Sequence, residues 1–211
     1  MSAHHHRAIA LALLALPVAL LTAGCAETGS SRTVHIAERP VWVANDAWTY
    51  RGQRTAGPYT VTRKVLREGT FEGFGGYEID AGDVRYWYTT RLGYAARLRG
   101  DKVVRRAVPP EDWQWPLQVG KQWSATVTWI DDSGDSEQRF VLTGVWAVEA
   151  YEDVKTPAGT FKAFKVSRHE IESGAWQTFW YSPEVKGWVK IQAGGTPDGG
   201  YEEELSSYSA H

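Results

Sequence analysis

The chain has 211 residues, and its 23 Lys and Arg against 25 Asp and Glu give a formal net charge of −2. With this balance and no basic stripe, the sequence lacks the electrostatic footprint of a nucleic-acid-binding protein. Cys25 is the single cysteine, which excludes a disulfide within the chain and a cluster of cysteine metal ligands. The length favours one domain with a substantial core.

The first 24 residues have the pattern of an export signal. A polar, basic start ends at Arg7 and is followed by an apolar run over residues 8–23, which Pro17 interrupts. This run is short for a spanning helix, which needs about 20 apolar residues. Small residues then precede Cys25. The sequence therefore predicts a signal peptide over residues 1–24.

The segment Leu21-Thr22-Ala23-Gly24-Cys25 resembles the lipobox of bacterial lipoproteins. Thr22 stands where the family prefers Leu, a departure that the looser form of the motif admits. The resemblance implies cleavage before Cys25, lipidation of its sulfur and attachment to a membrane. Ala26 after the cysteine implies the outer membrane, facing the periplasm, if the cell has two membranes. The alternative is cleavage after Ala26, which would give a soluble secreted protein.

Residues 25–41 are interpreted as the lipid anchor and a tether, and residues 42–211 as one antiparallel β domain. From Trp42 onward, apolar residues recur at every second position, as in Trp123, Ala125, Val127 and Trp129. No stretch of 12 or more residues has a helical stripe. Turn signals separate the strand-like runs at residues 51–53, 80–83, 100–101, 132–135 and 157–159. The pattern predicts an all-β fold of about ten or more strands.

An internal repeat is indicated over residues 46–100 and 121–194. A Trp-led strand begins each half, and Tyr86-Trp87-Tyr88 matches Phe179-Trp180-Tyr181. Gly69-Thr70-Phe71 likewise matches Gly159-Thr160-Phe161. A duplication would give two similar antiparallel sheets, as in a two-sheet β-sandwich, or one long curved sheet. Chance similarity is the alternative, because hairpins share turn chemistry.

Three motifs resemble uncharacterised bacterial envelope proteins. The motifs are VKTPAGTF at residues 154–161, WYSPEV at residues 180–185 and WPLQVGKQW at residues 115–123. The resemblance covers about residues 110 to 208. It implies a curved antiparallel sheet, similar to the half-barrels that carry lipoproteins across the periplasm, and it implies no activity. The turn chemistry fits, since proline sets the first corner and Gly159 accepts a positive φ.

Few residues have the spacing of a catalytic or metal site, so no catalytic residue, metal ligand or cofactor is predicted. His169 is interpreted as an ordinary strand residue, since no nucleophile motif accompanies it. The acidic run 131–137 lacks the spacing of a calcium loop and is interpreted as a hairpin tip. Residues 111–112 are expected in a polar loop, and residues 202–204 in an exposed stretch.

The aromatic content is unusual, with 11 Trp and 10 Tyr. These rings either fill the core of a broad sheet or line a groove for a ligand. Trp113 and Trp115 are the candidate ligand-binding residues, since prolines bound their loop, although core or lid packing is the favoured alternative. We expect a non-enzymatic, membrane-anchored protein that binds or scaffolds a lipid or another envelope component. The alternatives are a glycan- or peptidoglycan-binding module with exposed Trp, and a hydrolase.

Overall fold

A computed structural model describes residues 34–196 and 199–211 of the chain, which form one compact unit from Val34 to His211. All regular elements in this part are β-strands. The strands are β1 (Ile36–Ala37), β2 (Ala47–Arg54), β3 (Gly57–Phe71), β4 (Phe74–Asp80), β5 (Arg85–Thr89), β6 (Tyr94–Arg99), β7 (Lys102–Glu111), β8 (Leu117–Gln118), β9 (Gln122–Asp131), β10 (Gln138–Thr156), β11 (Gly159–Glu170), β12 (Trp176–Ser182), β13 (Gly187–Gly194) and β14 (Tyr201–Ser209). The described residues contain no helix long and apolar enough to cross a membrane.

Twelve of these strands form a closed antiparallel barrel. Each strand from β2 to β14 pairs with its neighbour in sequence, except that β7 pairs with β9 past the short β8. The last strand then pairs with the first, and Tyr201 lies opposite Arg54. The all-β antiparallel prediction is confirmed. The half-barrel or two-sheet sandwich is wrong, because the pairing of β14 with β2 leaves no open edge.

The alternating pattern correctly predicts which side chains face the barrel interior. Trp123, Val127 and Trp129 of β9 are buried, as expected for one face of a strand. Four of the five turn signals fall between strands, but residues 51–53 lie inside β2. Gly52 therefore does not mark a turn. Position 52 of the strand needs glycine because the Tyr59 ring on β3 occupies the space that a Cβ would need.

The hairpin at residues 156–159 has the predicted form. Thr156 pairs with Gly159 around a two-residue loop, and Gly159 has a φ of 142°. A positive φ favours glycine because a Cβ would be strained there. The resemblance motif at residues 154–161 therefore specifies a tight connection between the two longest neighbouring strands of the second half.

The barrel has two unlike ends. Five hairpin turns, at residues 54–57, 80–85, 99–102, 131–138 and 170–176, lie together with the end of β13 and the start of β14 at one end, which we call the mouth. The other turns and the C-terminus lie at the opposite end. There, segments 38–46 and 112–121 lie across the lumen. Trp42 contacts Tyr77 on one side and Trp188 on the other, so this end is closed by packed rings.

Part of the segment assigned to the tether belongs to the compact unit that contains the barrel. Ile36 and Ala37 pair with Gln118 and Leu117 in a separate two-stranded sheet, and Ala37 is buried. Cys25 and the predicted signal peptide lie outside the described residues. Their lipidation and cleavage stay predictions.

Most residues matched in the predicted repeat occupy equivalent strands of the two halves. Trp48 lies in β2 and Trp123 in β9, while residues 86–88 lie in β5 and residues 179–181 in β12. The other match differs, since residues 69–71 end β3 before a turn, whereas residues 159–161 begin β11 after one. Duplication of residues 46–100 and 121–194 stays a prediction.

Candidate ligand cavity inside the barrel

The barrel encloses a cavity of about 390 Å³. Its lining extends from Ala175 and Thr196, at the mouth, to Leu92 and Trp113 near the closed end. Eight strands make a barrel that side chains can just fill, so twelve leave room for interior space. The volume lies within the range of small-molecule sites, about 300–1,000 Å³.

Ten aromatic side chains line the cavity, and nine of them belong to strands of the barrel. The lining rings are Tyr86, Tyr88, Tyr94, Trp113, Trp129, Trp146, Trp176, Phe179, Trp188 and Tyr201. Burial raises the pKa of Tyr88 and Tyr94, and it raises that of Tyr201 to about 12. These phenols therefore stay neutral at ordinary pH, and the wall presents ring faces and hydroxyl groups.

Trp113 and Trp115, the candidates from the sequence, lie together at the floor of this cavity. Trp113 is only 2% exposed and packs against Phe179 and Trp188. Trp115 stacks on Trp113 from outside, with ring centroids 5.9 Å apart. Trp113 is part of the cavity wall, whereas Trp115 supports it from behind. Their role in ligand binding stays a prediction.

Four arginines line the cavity, and two of them are neutralised by buried carboxylates. The guanidinium of Arg168 donates to both oxygens of Glu111, at 2.8 and 2.9 Å, and forms a further ion pair with Glu170. Arg168 is 4% exposed and Glu111 is 5% exposed. Burial alone would lower the pKa of Arg168, but the hydrogen bonds and charges of Glu111 and Glu170 raise it. The bidentate geometry is the strong form of this contact.

The second neutralised arginine lies on the opposite wall. Arg63 approaches both oxygens of Glu203, at 2.9 and 2.7 Å, and Glu203 also accepts a hydrogen bond from the Tyr59 hydroxyl. Glu203 is 3% exposed. The Arg63 guanidinium lies over the Tyr50 ring at 4.7 Å. All charges in this group are matched inside the barrel, as buried ions require.

The other two arginines, Arg97 and Arg105, face each other across β6 and β7. They are cross-strand partners in the register, so both side chains lie on the same face of the sheet, and both line the cavity. Their Nε atoms are buried without a hydrogen-bond partner. Among the described residues, Arg97 forms no ion pair, and the Nε of Arg105 is 4.0 Å from Asp131.

Asp131 is a weak counter-ion because its own hydrogen bonds engage it elsewhere. The backbone N–H and the hydroxyl of Ser133 both reach its Oδ1. Burial would raise the pKa of Asp131, but the Ser133 hydrogen bonds and the charges of Arg105 and Arg97 lower it. Asp131 therefore stays ionised, and one carboxylate faces two guanidinium groups.

The structure corrects two of the sequence interpretations. Glu111 is a buried strand residue instead of part of a polar loop, and Glu203 is a buried interior acid instead of an exposed one. Their partners are 57 and 140 residues away along the chain. The alternation of β14, where Glu203 lies between residues of the outer face, was the signal that could have revealed its inward direction.

The other candidate positions lie where the sequence placed them. His169 is exposed on β11, opposite Val145 and Trp176. The acidic run 131–137 forms the turn between β9 and β10, and its Asp131 accepts from the Ser133 backbone as expected of a hairpin tip. No group of His, Cys, Asp and Glu in the described residues has metal-binding geometry.

The fold and the cavity together define an up-and-down antiparallel barrel whose interior is a candidate ligand site, an architecture that encloses cavities in its larger members. Three solved structures resemble it. A Bacteroides fragilis protein with a YmcC-like fold matches at a TM-score of 0.49 and 12% identity, covering 82% of this chain and 99% of the other. A protein named as a lipoprotein from Parabacteroides distasonis matches at 0.40 and 12%, with the same coverages.

The third structure is the hypothetical lipoprotein YmcC from Escherichia coli. It matches at a TM-score of 0.43 and 9% identity, covering 79% of this chain and 89% of the other. No family model and no curated protein matches the sequence.

Proposed function

We propose that this protein is a secreted, lipid-anchored binding protein that holds a small molecule with an apolar body inside its barrel, without catalysis. The observation that carries the proposal is the 390 Å³ cavity walled by aromatic rings from both halves of the barrel. Aromatic faces make large, rigid, apolar contacts, and ring pairs contribute about 0.5–1.5 kcal/mol beyond the area they bury.

Burial of the tryptophans supports an interior ligand over a glycan on the outer surface. Nine of the 11 Trp are buried, and the other two, Trp115 and Trp176, are half-buried. A glycan-binding surface requires ring faces open to solvent, in a row that sugars can cover. The available Trp faces instead point into the cavity or into the core.

The polar groups of the cavity favour binding over hydrolysis. Its two lining carboxylates, Glu111 and Glu170, are both bound to Arg168. A carboxylate that acts as a general acid or base must be free to reach the substrate proton. His169 lies on the outer face of the barrel, exposed to solvent, where it cannot reach a molecule in the cavity.

The anchor is the second part of the proposal. Lipidation of Cys25 would keep the barrel at the outer membrane, facing the periplasm, because several acyl chains hold a protein far more firmly than one. Mass spectrometry of the protein from its native membrane would show a diacylglyceryl cysteine at the mature N-terminus. A mature chain that begins at Glu27 would contradict the anchor and leave the cavity argument intact.

Binding is tested with N-phenylnaphthylamine, a neutral aromatic probe that fluoresces in apolar surroundings. Ala193 lies between Gln177 and Tyr201 in the register, and all three line the cavity. We expect Ala193→Phe to fill the space and to weaken probe binding about tenfold. Ala147→Phe, on β10 beside the inward-facing Trp146, is the matched control and should bind as the wild type does.

Urea unfolding accompanies the binding measurement, since overpacking costs about 1–3 kcal/mol. A folded Ala193→Phe protein that binds the probe with wild-type affinity would show that the probe is not in the cavity. A wild-type protein that binds no probe would contradict the proposed function itself.

A further inference from the structure

We infer that Arg97 and Arg105 form a subsite for an oxyanion (a carboxylate, sulfonate or phosphate) carried by the molecule whose apolar body lies in the cavity. This inference rests on the proposed function and narrows its ligand to an anionic amphiphile. The two arginines are positioned to hold the charged group while the aromatic wall holds the body.

The first argument is the placement of the pair. Directly opposed residues in an antiparallel sheet have Cβ atoms about 4.5–5.5 Å apart. Arg97 and Arg105 occupy such a position between β6 and β7, and Tyr86 precedes them in the same row on β5. Two guanidinium groups so close can both reach one oxyanion, and their planar donor arrangement matches its geometry.

The second argument is that the two positive charges are not matched by carboxylates. Like charges directly opposed across strands are destabilising, and each buried Nε lacks a partner. Arg63 and Arg168 show that this barrel places carboxylates 2.7 to 2.8 Å from its other interior arginines. Arg97 forms no ion pair among the described residues, and Arg105 has only Asp131, 4.0 Å from its Nε. An anion from outside would supply the negative charge and the hydrogen-bond acceptors that the two guanidinium groups lack.

The third argument is continuity with the aromatic wall. The Arg105 guanidinium lies over the Trp129 ring at 4.7 Å, and the Tyr94 ring lies 5.1 Å from that of Trp129. The positive groups therefore border the apolar surface without a gap. A molecule with one anionic group and an apolar body can satisfy both parts of the wall at once, whereas a free anion uses only one.

Two fluorescent probes with the same ring skeleton separate the charged contact from the apolar one. Anilinonaphthalene sulfonate is N-phenylnaphthylamine with an added sulfonate. We expect the wild-type protein to bind the sulfonate more tightly than the neutral probe. Arg97→Gln and Arg105→Gln should each weaken sulfonate binding about tenfold, as expected when a hydrogen bond to a charged group is lost, and should leave the neutral probe within about twofold.

Arg106→Gln is the matched control. Arg106 is the next residue on β7, pairs with Glu72 at 2.6 Å and is absent from the cavity wall, so its replacement removes the same formal charge elsewhere. It should leave binding of both probes unchanged. Equal losses in Arg106→Gln and Arg105→Gln would reduce the effect to net charge and overturn the subsite.

The outcomes distinguish this inference from the proposed function. Both probes binding equally, with no effect of either arginine replacement, would overturn the subsite and leave the apolar cavity standing. Binding of neither probe would overturn both. Inorganic phosphate should not displace the sulfonate probe at concentrations comparable to that of the probe. Phosphate that does so would show that the arginines take a free anion, which overturns the assignment to an amphiphile.

Discussion

The cavity wall contains arginines in two contrasting settings. Arg168 on β11 is held by two carboxylates at 2.8 to 2.9 Å, in a group that is almost fully buried. Arg97 on β6 and Arg105 on β7 face each other, and the one carboxylate beside them, Asp131, is 4.0 Å from the Nε of Arg105. The same residue type therefore lines one cavity in two settings: a matched one, with carboxylates in direct contact with the guanidinium, and an unmatched one, with a local excess of positive charge.

The comparison indicates which interior charges stabilise the fold and which are available to bind a ligand. A matched group is costly to break, because removal of one partner leaves an unpaired buried ion. An unmatched pair should be cheap to remove, because its replacement relieves repulsion. Stability and ligand binding should therefore respond oppositely to changes in the two settings.

The largest expected effect is on the matched side. Glu111→Ala removes the bidentate partner of Arg168 and the acceptor of the Trp146 indole N–H. We expect the free energy of unfolding to fall by about 3–5 kcal/mol, measured by urea denaturation. Glu137→Ala, in the exposed turn between β9 and β10, is the control and should change it by less than about 0.5 kcal/mol.

If the free energy of unfolding of Glu111→Ala equals that of the wild type, the ion pairs of Arg168 do not stabilise the fold. That result would place Arg168 with the cavity arginines that await an external partner.

A second set of variants tests the other matched arginine, Arg63. Glu203→Leu alone leaves Arg63 buried without its partner and should cost about 3–5 kcal/mol of unfolding free energy. Adding Arg63→Met to this variant should recover about 2 kcal/mol, since apolar residues often replace a buried ion pair at little cost. Urea unfolding of both single variants and the double variant measures the coupling. Simple additivity of the two losses would show that the pair is not a unit.

A smaller effect is expected on the unmatched side. Asp131→Asn removes the carboxylate that competes for Arg105. We expect affinity for anilinonaphthalene sulfonate to rise about fivefold, or about 1 kcal/mol, while N-phenylnaphthylamine is unaffected. Titration of the two probes by fluorescence measures this difference.

Asp132→Asn is the control for this variant, because Asp132 pairs with Lys102 at 3.0 Å and its change alters the net charge equally. An equal rise in both variants would mean that the sulfonate responds only to overall charge.

The sequence predicts the strands far better than it predicts the cavity. Alternation along β9 and turn chemistry at residues 156–159 are local, so both are visible in a short window. Closure depends on the pairing of β14 with β2, at opposite ends of the domain, which no local pattern encodes. The half-barrel expectation was wrong for this reason.

The matched charges were missed for a related reason. Glu203 stands within three consecutive glutamates, and alternation along β14 gives its inward direction but not its contact with Arg63, 140 residues away. The proximity of Arg97 and Arg105 is easier to predict from the sequence, because the turn at residues 100–101 brings them together in a hairpin. A bulge between Arg97 and Leu98 shifts that register, so exact opposition is visible only in the fold.

The most direct test of the account is the stability of Arg97→Gln with and without anilinonaphthalene sulfonate. Without the probe, the account predicts a free energy of unfolding equal to that of the wild type or up to about 1 kcal/mol higher, because the repulsion is relieved. At a probe concentration about a hundredfold above its wild-type Kd, the wild type should gain about 2.7 kcal/mol and the variant clearly less. A probe-free variant that loses about 3 kcal/mol or more, or one that the probe stabilises fully, would contradict the account.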